Sequence, residues 1–280
     1  MMEVYIPPFL RLSMGASVFT ASDHTFSICA YGESPYLSDC IESLLSQNVK
    51  SKIILVTSTP NGLIQHLASR YNLPLFINSG ESGIAQDWNY AVSCAETPLI
   101  TIAHQDDTYE PYFTEKMLAA VNSVKVPLIH FSNYGELRQG VRVFSNRLLT
   151  VKRLLLWPLK LKSLSGIRFV RRRCISLGSP ICCPSVTFAL PNLDVPIFKK
   201  GFKSDLDWQA WESISRKEGA FLYSPEILMF HRIHADSETS ALIMDNTRTA
   251  EDLEMLRLFW PEWLARLINH FYSLSQKSNN

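Results

Sequence analysis

Two adjacent carboxylates, Asp106 and Asp107, are the residues of this sequence whose types and spacing point most directly to chemistry. They follow the apolar run Leu99–Ala103, which is typical of a buried strand. The carboxyl end of such a strand lies at the edge of a sheet where open α/β folds bind their ligands. Neighbouring carboxylates repel each other, and a divalent cation would keep both ionised while leaving coordination positions for a diphosphate. The alternative interpretation is a solvated loop.

Two further groups of polar residues occur in the second half of the chain. Asp205 and Asp207 alternate with apolar residues in FKSDLDWQAW, just before a predicted helix. A carboxylate at this place could take a proton from an attacking hydroxyl, although Asp205 is equally well placed to cap the helix. His231, Arg232 and His234 form the other group, in which an imidazole could ligate a cation and the guanidinium could neutralise a diphosphate.

The elements that would position these groups alternate between strand and helix patterns. The pattern predicts the strands Thr25–Tyr31, Lys52–Thr57 and Leu75–Asn78 and the helices Tyr36–Gln47, Leu63–Tyr71 and Gly83–Ala95. Such alternation with short connections predicts an α/β fold with a mainly parallel central sheet flanked by helices. No GxGxxG follows the first strand and no GxxxxGK[ST] occurs, which argues against a dinucleotide-binding Rossmann enzyme and a P-loop NTPase.

Composition limits the class of protein further. The hydrophobic fraction of 46% predicts a globular core, and the net charge of +1 indicates no particular partner. The six cysteines have no metal-ligand spacing, so we expect free thiols in a reducing compartment. No apolar run reaches the roughly 18 to 20 residues of a membrane helix, and no signal peptide is evident. These features predict a cytoplasmic protein, with peripheral contact at the inner face of the cell membrane left open.

Four patterns in the first half of the chain resemble the family 2 glycosyltransferases, which have the GT-A fold. FSICAYGESPYLSDCIESLLSQ corresponds to the family's first strand and helix, and IILVTSTPNG to its second strand and turn. GIAQDWNYAVSCAETPLITIAHQDD corresponds to the helix before the metal motif, and DDTYEPYF to the acidic metal motif. With later matches, the resemblance covers roughly residues 25–240. It implies an enzyme that binds a nucleotide-diphosphate sugar.

The resemblance also implies roles for individual residues. The donor nucleotide would contact a set of residues at the ends of the first strands and on the helix before the metal motif, together with one arginine: Ala30, Tyr31, Glu33, Ser58, Asp87, Asn89, Asp106 and Arg232. Asp107 would ligate Mn²⁺ or Mg²⁺, with His234 as a further ligand. Asp207 would be the catalytic base, with Asp205 as second choice. For Tyr31 a half-buried structural aromatic, and for Asn89 a helix-surface amide, are the alternatives.

The sequence departs from the family pattern at three places. His104 stands where the longer acidic motif has its first acid. Thr57 and Ser58 stand where the second strand normally ends in an aspartate that contacts the nucleobase, although a hydroxyl can still bond a uracil or thymine edge. Trp88 precedes Asn89 where many members have arginine. These differences concern the contact with the donor base and not the reaction class.

The rest of the chain divides into a second half of the enzyme and a tail. We expect a lead-in over 1–23, a transferase domain over 24–240 with halves 24–113 and 114–240, and a helical extension over 241–280 with a break at Pro261. Segment 138–173 is basic, rich in leucine and free of acids. It predicts either contact with anionic lipid or a core helix with a solvated basic face, while Arg171–Arg173 could instead face phosphates. The absence of an aromatic RNA-binding signature argues against nucleic acid.

Together these observations predict an inverting, metal-dependent glycosyltransferase that uses a nucleotide-diphosphate sugar, most simply a UDP-sugar. The acceptor would be a saccharide or a polyprenyl-diphosphate-linked oligosaccharide in bacterial surface polysaccharide synthesis. A nucleotidyltransferase is one alternative, but it would need a glycine-rich basic loop after the first strand, which TFSICAYGESPY lacks. The other is a non-catalytic scaffold that binds sugar or membrane, which His104 supports and the Asp107 and Asp207 pair opposes. The sequence indicates no oligomeric state.

Overall fold

The computed structural model describes residues 18–81, 83–234 and 247–277. Three parts of the predicted organisation lie outside these residues. They are residues 1–17 of the lead-in, the end of the histidine segment after His234, and residues 241–246 of the tail. The described chain starts against helix α4 (Phe113–Val121), because the Phe19 backbone exchanges two hydrogen bonds with the amide of Asn122 at 2.8 Å each.

The first half consists of four strands and three helices in strict alternation, as predicted. The elements are β1 (His24–Ala30), α1 (Leu37–Leu45), β2 (Lys52–Thr57), α2 (Gly62–Arg70), β3 (Leu75–Ile77), α3 (Ile84–Cys94) and β4 (Leu99–His104). The four strands are parallel in the order β3-β2-β1-β4. Their register pairs Ala30 with Thr57 and Cys29 with His104, so the strands end together at one edge of the sheet.

The second half extends this sheet with strands in both directions. After α4 and the short strand β5 (Thr108–Tyr109) come β6 (Pro127–Arg138), β7 (Val141–Val143), α5 (Arg147–Leu156), α6 (Lys162–Ser165), α7 (Arg168–Cys174), β8 (Val186–Ala189), α8 (Leu206–Ser215) and β9 (Ala220–Ile233). The full order is β3-β2-β1-β4-β8-β6-β9-β5, with β7 beside β6. The α/β fold is confirmed, but only its first half is purely parallel. Strand β8 runs antiparallel to both β4 and β6, which makes the sheet mixed.

Helices cover both faces of the sheet. On one face Phe26 and Ile28 pack with Leu37 and Ile41 of α1 and with Phe113 of α4. On the other face a core cluster joins the sheet to α3 and α8 through Ile100, Ile102, Phe188, Ala85 and Trp211. Burial on both faces explains why the central strands are continuous apolar runs.

The predicted pair of C-terminal helices is present as α9 (Thr247–Arg257) and α10 (Glu262–Lys277), separated at Pro261. They pack on α8, where the buried indole of Trp208 contacts Met255 and Leu256 of α9. The Trp208 Nε1–H also donates to the carbonyl of Ile175 at 2.8 Å. The extension is therefore part of the support for α8, the helix that begins at the predicted base.

The basic segment is partly core and partly surface. Leu149, Leu156 and Leu159 are buried, whereas Leu154 and Trp157 are exposed. Within the described ranges, no helix is both long and apolar enough to cross a membrane.

The arginine run of α7 does not face phosphates, contrary to the alternative raised from its sequence. Arg171 is fully buried, and its guanidinium donates to the carbonyls of Ser215 at 2.8 Å and Gly166 at 3.2 Å and also to those of Lys217 and Gly219. Arg172 pairs with Glu212 at 2.7 Å. The reason is that the end of α8 leaves carbonyls without helical partners, and the guanidinium satisfies them.

Candidate active site

Strands β1, β2 and β4 deliver their following residues to one edge of the sheet. Ala30 is buried at the end of β1, and Tyr31 after it is 65% exposed. The side-chain amide of Gln105 accepts from Tyr31 N–H at 2.9 Å and donates to the Tyr31 carbonyl at 3.0 Å. This reciprocal pair holds the chain after β1 against the chain after β4. The exposed ring of Tyr31 fits the predicted stacking role better than the alternative of a half-buried aromatic.

The turn after β2 is tied to the same edge. The Gly32 N–H donates to Thr59 Oγ1 at 2.7 Å, and the Asn61 side chain donates to the Gly32 carbonyl at 2.8 Å. Asn61 also caps α2 by accepting from Ile64 N–H at 3.0 Å. Glu33, a predicted donor contact, is exposed beside this turn.

Ser58 and Asp87, both predicted donor contacts, are bonded to each other. The Ser58 hydroxyl donates to Asp87 Oδ2 at 2.7 Å, and the Asn78 amide donates to Asp87 Oδ1 at 2.7 Å. The structure thus brings the ends of β2 and β3 and the first turn of α3 together around one carboxylate. A nucleoside at this edge would meet a hydroxyl whose orientation is already set by an acid.

Asn89 is engaged elsewhere. Its side chain donates to the carbonyl of Phe198 at 2.7 Å and accepts from Phe198 N–H at 3.1 Å. These two bonds mean that Asn89 anchors the loop that carries Phe198. The side chain is therefore neither free for the predicted donor contact nor a simple amide on the helix surface. The two residues are 109 positions apart, and no local sequence pattern around Asn89 predicts the contact.

Asp107 is fully buried and receives two hydrogen bonds from the end of β9. Its Oδ1 accepts from the Arg232 backbone N–H at 2.9 Å and pairs with His231 Nδ1 at 3.0 Å. Burial acts to lower the pKa of His231, but the charge and hydrogen bond of Asp107 outweigh it and raise that pKa above its ordinary value. Thus the histidine that contacts Asp107 is His231, whereas the prediction had grouped Asp107 with His234.

Asp106 pairs instead with His234, whose Nε2 lies 2.9 Å from Asp106 Oδ2. Burial acts to raise the pKa of Asp106, but the bond from His234 and the nearby imidazoles of His104 and His231 outweigh it and lower that pKa. Each acid of the pair therefore has its own imidazole. Two adjacent carboxylates in one buried turn thus each have a hydrogen-bonded partner.

Arg232 connects the acidic turn to helix α1. Its Nε–H donates to the Asp106 carbonyl at 2.8 Å, and its terminal nitrogen binds Asp39 at 2.9 Å. The guanidinium carbon lies 4.1 Å from the centre of the Tyr36 ring. The Tyr36 ring is also 5.3 Å from that of His234. The predicted diphosphate contact is thus at the acidic turn, already oriented by stacking and by an ion pair.

His104 occupies the place of the missing first acid and stacks on Trp88 with ring centres 5.1 Å apart. Burial lowers the pKa of His104 more than the charges of Asp107 and Asp106 raise it, so its imidazole is neutral near pH 7. Its Nε2 is buried without a hydrogen-bond partner among the described residues. Two of the residues that depart from the family pattern, His104 and Trp88, therefore pack on each other.

The residues of the acidic turn can be tested for their fit to a divalent cation. In the described part of the chain, no three His, Cys, Asp or Glu side chains are arranged to hold a metal ion. However, Asp107 Oδ2 is buried and has no partner there, and such an oxygen is costly unless something pairs with it. A hard cation that takes most of its ligands from a diphosphate and water needs only one or two protein carboxylates. Asp107, with Asp106 and His234 beside it, fits that requirement.

The two candidate bases differ in their surroundings. Asp205 is buried at the start of α8 and makes no capping hydrogen bond, contrary to the capping interpretation. Its carboxyl bonds Asp252 of α9, and burial together with the charge of Asp252 raises the pKa of Asp205 to about 9. The cap is Glu251, whose carboxylate accepts from the backbone N–H groups of Lys203, Ser204 and Asp205 at 2.7–3.0 Å.

Asp207 lies one helical position beyond Leu206 and faces away from this cluster. Its Oδ1 accepts from Trp208 N–H at 2.6 Å, and the Ser179 hydroxyl is 3.5 Å from its Oδ2. Burial raises the pKa of Asp207, while the Trp208 N–H and the positive charge of Lys152 act in the opposite direction. A partly buried carboxylate with few hydrogen bonds and a raised pKa is suited to accept a proton.

Lys152 is a site residue that the sequence analysis missed. It lies on α5, its Nζ is 2.9 Å from the Tyr134 hydroxyl, and its charge lowers the pKa of both Asp207 and His231. It was assigned to a basic surface because ten other arginines and lysines surround it in the acid-free segment. The only local signal is its place on α5, four residues before the buried Leu156.

Asp107 and Asp207 act on the same buried residues, although they are 100 positions apart. Burial is the main cause that raises the pKa of the Cys182 and Cys183 thiols, and the charges of both carboxylates raise each of them further. The turn before β8 that carries these cysteines thus lies within electrostatic reach of the acidic turn and of α8. This juxtaposition is what a two-carboxylate active site requires.

Known proteins similar to this chain are consistent with that geometry. The family model described as "Glycosyl transferase family 2" matches residues 25–176, more than half of the chain. No curated protein matches the chain.

Three solved structures share its fold. The S. aureus TarS 1–349 complex with UDP-GlcNAc is 14% identical with a TM-score of 0.57, and the match covers 88% of this chain and 70% of that one. The mannosyltransferase PcManGT from Pyrobaculum calidifontis, in complex with GDP-Man and Mn²⁺, is 14% identical with a TM-score of 0.61, covering 89% and 70%. Glucosyl-3-phosphoglycerate synthase from Mycobacterium tuberculosis is 10% identical with a TM-score of 0.57, covering 85% and 80%. A longer TarS chain is covered to 42%. At these identities the likeness shows the fold alone.

Proposed function

This chain belongs to glycosyl transferase family 2 and is a glycosyltransferase, and from that premise we propose that it transfers a sugar from a nucleotide-diphosphate donor with inversion. The observation that carries the proposal is the electrostatic proximity of Asp107 and Asp207 around Cys182 and Cys183. One carboxylate would serve the donor diphosphate and the other the acceptor. Inversion needs these two groups at the same cavity, because the acceptor attacks opposite the leaving nucleotide.

The donor is proposed to be a UDP-sugar. Ser58, held by Asp87, offers a hydroxyl to a uracil edge, and the exposed ring of Tyr31 offers a stacking surface. Ala30 and Glu33 would complete the pocket. The TarS structure with UDP-GlcNAc supports a uridine nucleotide on this fold, whereas the PcManGT structure with GDP-Man supports only the wider class.

Asp107 would hold Mn²⁺ or Mg²⁺ with Asp106 as the second carboxylate, and His234, the further ligand expected from the sequence, is bonded to Asp106. When bound, such a cation supplies Lewis acidity to the leaving diphosphate. The PcManGT complex with Mn²⁺ supports divalent metal use in this fold. The chain's own contribution is to position both carboxylates through hydrogen bonds with His231, His234 and the Arg232 backbone N–H. Arg232 would add a guanidinium to the diphosphate side.

Asp207 is the proposed general base. Its carboxylate would take the proton of the acceptor hydroxyl as the oxygen attacks the anomeric carbon, while the bond from that carbon to the diphosphate breaks and the nucleoside diphosphate leaves. For a D-hexose donor this gives a β-linkage. The Lys152 charge opposes the rise in the pKa of Asp207 that burial causes, and so favours the carboxylate form that accepts the proton. Asp205 shares a proton with Asp252 and is not expected to act.

The acceptor is proposed to be a saccharide or polyprenyl-diphosphate-linked oligosaccharide used in bacterial surface polysaccharide synthesis. The support for it is the acid-free basic segment, which would place the enzyme at the inner face of the cell membrane. A cytoplasmic address agrees with six free cysteines.

The test is hydrolysis of a panel of nucleotide sugars with Mn²⁺, with Mg²⁺ and with chelator, by the wild-type protein, Asp107→Ala and Asp194→Asn. Asp194 is an exposed aspartate on a surface ion pair with Lys217, so it controls for loss of one carboxylate. We expect metal-dependent release of UDP by the wild-type protein and Asp194→Asn and a loss of about 10²-fold or more in Asp107→Ala. No turnover of any nucleotide sugar by the wild-type protein would favour a scaffold, and release of pyrophosphate instead of nucleoside diphosphate would favour a nucleotidyltransferase.

A further inference from the structure

Helix α5 and the 3-10 turn after it (Trp157–Lys160) carry a row of exposed apolar side chains. The row has steps of three, three, three and four residues and consists of Leu148, Val151, Leu154, Trp157 and Leu161. Each step of three turns the side-chain direction by about 60°, so Leu148, Val151, Leu154 and Trp157 together cover the half of the helix opposite the buried Leu149 and Leu156. Leu154 is 72% exposed and Trp157 is 57% exposed. Scattered single apolar residues on a surface need no explanation, but a row of five does.

The charges around this row are of one sign. Arg147, Lys160, Lys162 and Arg168 are exposed, and none of them forms a salt bridge with a described residue. The segment contains no acid from residue 139 to 193. A protein partner with an apolar surface would not require such a bias, whereas a bilayer with anionic headgroups would.

We infer that this face of α5, with its flanking basic residues, docks on a membrane surface that contains anionic lipid. Trp157 and the leucines enter the headgroup region, and the four basic side chains lie at the level of the lipid phosphates. This is a surface contact of a helix lying flat. The contact itself is argued from the surface residues alone. Its role rests on the proposed function, because docking would bring the enzyme to a lipid-linked acceptor.

The orientation of α5 connects this surface to the active site. Leu149 and Leu156 face the core, and Lys152 contacts Tyr134 and acts electrostatically on Asp207. The opposite side of the same helix carries Val151 and Leu154. Helix α5, about 10 Å across, therefore lies between the proposed lipid surface and the side of the protein on which Lys152 acts on Asp207. Docking through this face would hold that side of the protein near a membrane that presents a lipid-linked acceptor.

A second exposed apolar row serves as the internal control. Trp263, Leu267 and Phe271 lie on α10 at steps of four. That helix starts at Glu262, which forms salt bridges with Arg257 and Arg266, so both arginines are already paired with an acid. It offers similar apolar area without a basic margin and is not expected to bind anionic lipid.

The experiment is co-sedimentation of the full chain with vesicles of phosphatidylcholine alone and with phosphatidylglycerol added. The variants are Leu154→Ser/Trp157→Ser, Lys160→Glu/Lys162→Glu and the control Trp263→Ser/Leu267→Ser. We expect the wild-type protein and the control to bind only the anionic vesicles, with loss of binding on raising ionic strength from about 0.1 M to about 0.5 M. The apolar pair should weaken binding about tenfold, and the charge reversal more than about tenfold, because each basic residue contributes about fivefold.

Thermal midpoints and UDP-sugar hydrolysis of all variants should match the wild-type values, because the substituted side chains are exposed. Equal loss of binding in the α10 control, or no binding of the wild-type protein to anionic vesicles, would overturn the inference. So would a dimer in sedimentation velocity that the α5 variants convert to monomer, because a second copy would then cover the face. Vesicle binding without hydrolysis would instead contradict the proposed function alone, and hydrolysis without vesicle binding would contradict docking alone.

Discussion

At the scale of single residues, the two aspartates at the start of α8 have opposite surroundings. Asp205 faces α9 and shares a hydrogen bond with Asp252, while Asp207 lies near Ser179 and Lys152. A shift of two positions on a helix turns a side chain by about 200°, which accounts for this separation. Alignment of the following aromatic favoured Asp207, and the surroundings in the structure support the same choice.

Replacing Asp207 with Asn should lower the turnover of sugar transfer by about 10²- to 10⁴-fold, because the acceptor loses its base. Donor binding should stay within about twofold of the wild-type value, measured by calorimetry with UDP in the presence of Mn²⁺. Asp205→Asn is the matched control and should keep most of the turnover. The reverse pattern would make Asp205 the base.

Replacing Lys152 with Met should shift the acid limb of the pH–rate profile upward by about one unit. The positive charge lowers the pKa of Asp207, so its removal allows the base to be protonated at higher pH. Lys160→Met, on the exposed side of the same segment, should leave the profile unchanged. An equal drop in rate at every pH would mean that Lys152 acts only by packing on Tyr134.

At the scale of elements, α7 and α8 are held together by one buried side chain. The guanidinium of Arg171 bonds three carbonyls between the end of α8 and the start of β9 and the carbonyl of Gly166 after α6, and burial lowers the pKa of this group to about 10. One of those carbonyls belongs to Gly219. Two features require glycine at this position: its φ is 130°, and a Cβ would lie only 2.7 Å from the Val126 carbonyl oxygen. The α7–α8 corner is therefore a structural unit rather than a binding surface.

Arg171→Met should lower the free energy of unfolding by about 3 kcal/mol or more, because several buried carbonyls lose their donors. For a chain of this size that corresponds to a fall in Tm of roughly 6 °C or more. Arg168→Met on the same helix is exposed and should change stability by less than about 0.5 kcal/mol. Thermal unfolding followed by circular dichroism tests the pair, and similar midpoints for both variants would refute the assignment.

The contact between α8 and α9 should make stability depend on pH. The pKa of Asp205 is about 9 in the folded chain against an ordinary 3.8, so the folded state binds this proton more tightly than the unfolded state. Its contribution to stability is complete below about pH 4 and is lost as the pH rises through about 9. Asparagine at position 205 has the shape of the protonated aspartate but does not titrate. Asp205→Asn should therefore flatten the decline of Tm between pH 5 and pH 9. A decline of equal slope in the variant would show that the group does not titrate there.

The elements differ in how far they could be predicted. Strands β1 to β4 and their helices follow from local patterns, because each connects to its neighbour within a short stretch and apolar residues mark the buried positions. By contrast, β6 runs for 12 residues to Arg138, because it pairs with β9 across some 90 residues of intervening chain. Local propensity holds no information about that partner. The same applies to Asn89, whose partner is Phe198, and to Lys152 in its basic surroundings.

The acidic turn shows the same limit at closer range. The sequence analysis grouped Asp107 with His234, and the structure instead pairs Asp107 with His231 and Asp106 with His234. Both histidines belong to one short segment, and which imidazole meets which acid depends on where β9 ends against β5. That register is set by the pairing of Thr108 with Phe230, which no local pattern specifies.

At the scale of the whole molecule, the pairing of β6 with β9 joins the second half of the chain into one sheet. Gly135 lies on this seam, where a Cβ would be 2.6 Å from the Phe230 ring and 3.0 Å from the Val143 carbonyl. Three strands therefore meet at one position that has no room for a side chain. His231 and Arg232 directly follow Phe230, so any displacement at the seam reaches the acidic turn.

Gly135→Val should lower stability by about 1–3 kcal/mol or more through overpacking and should weaken metal-dependent UDP binding in the same protein. Gly62→Ala is the control, because a Cβ there meets no atom within 4 Å and alanine favours the helix that it starts. Unfolding by urea and calorimetric titration with UDP test both effects. Reduced stability with unchanged UDP binding would show that the seam and the acidic turn are independent.

The position of β9 in the sheet has a consequence for synthesis of the chain. Asp106 and Asp107 leave the ribosome more than a hundred residues before His231, Arg232 and His234, which compensate them. During that interval the nascent chain can complete its parallel strands while the two acids remain solvated at the sheet edge. Enzyme activity therefore cannot begin on a partly translated chain, and translation that stops before Phe230 should release a product with a formed first half and no competent centre.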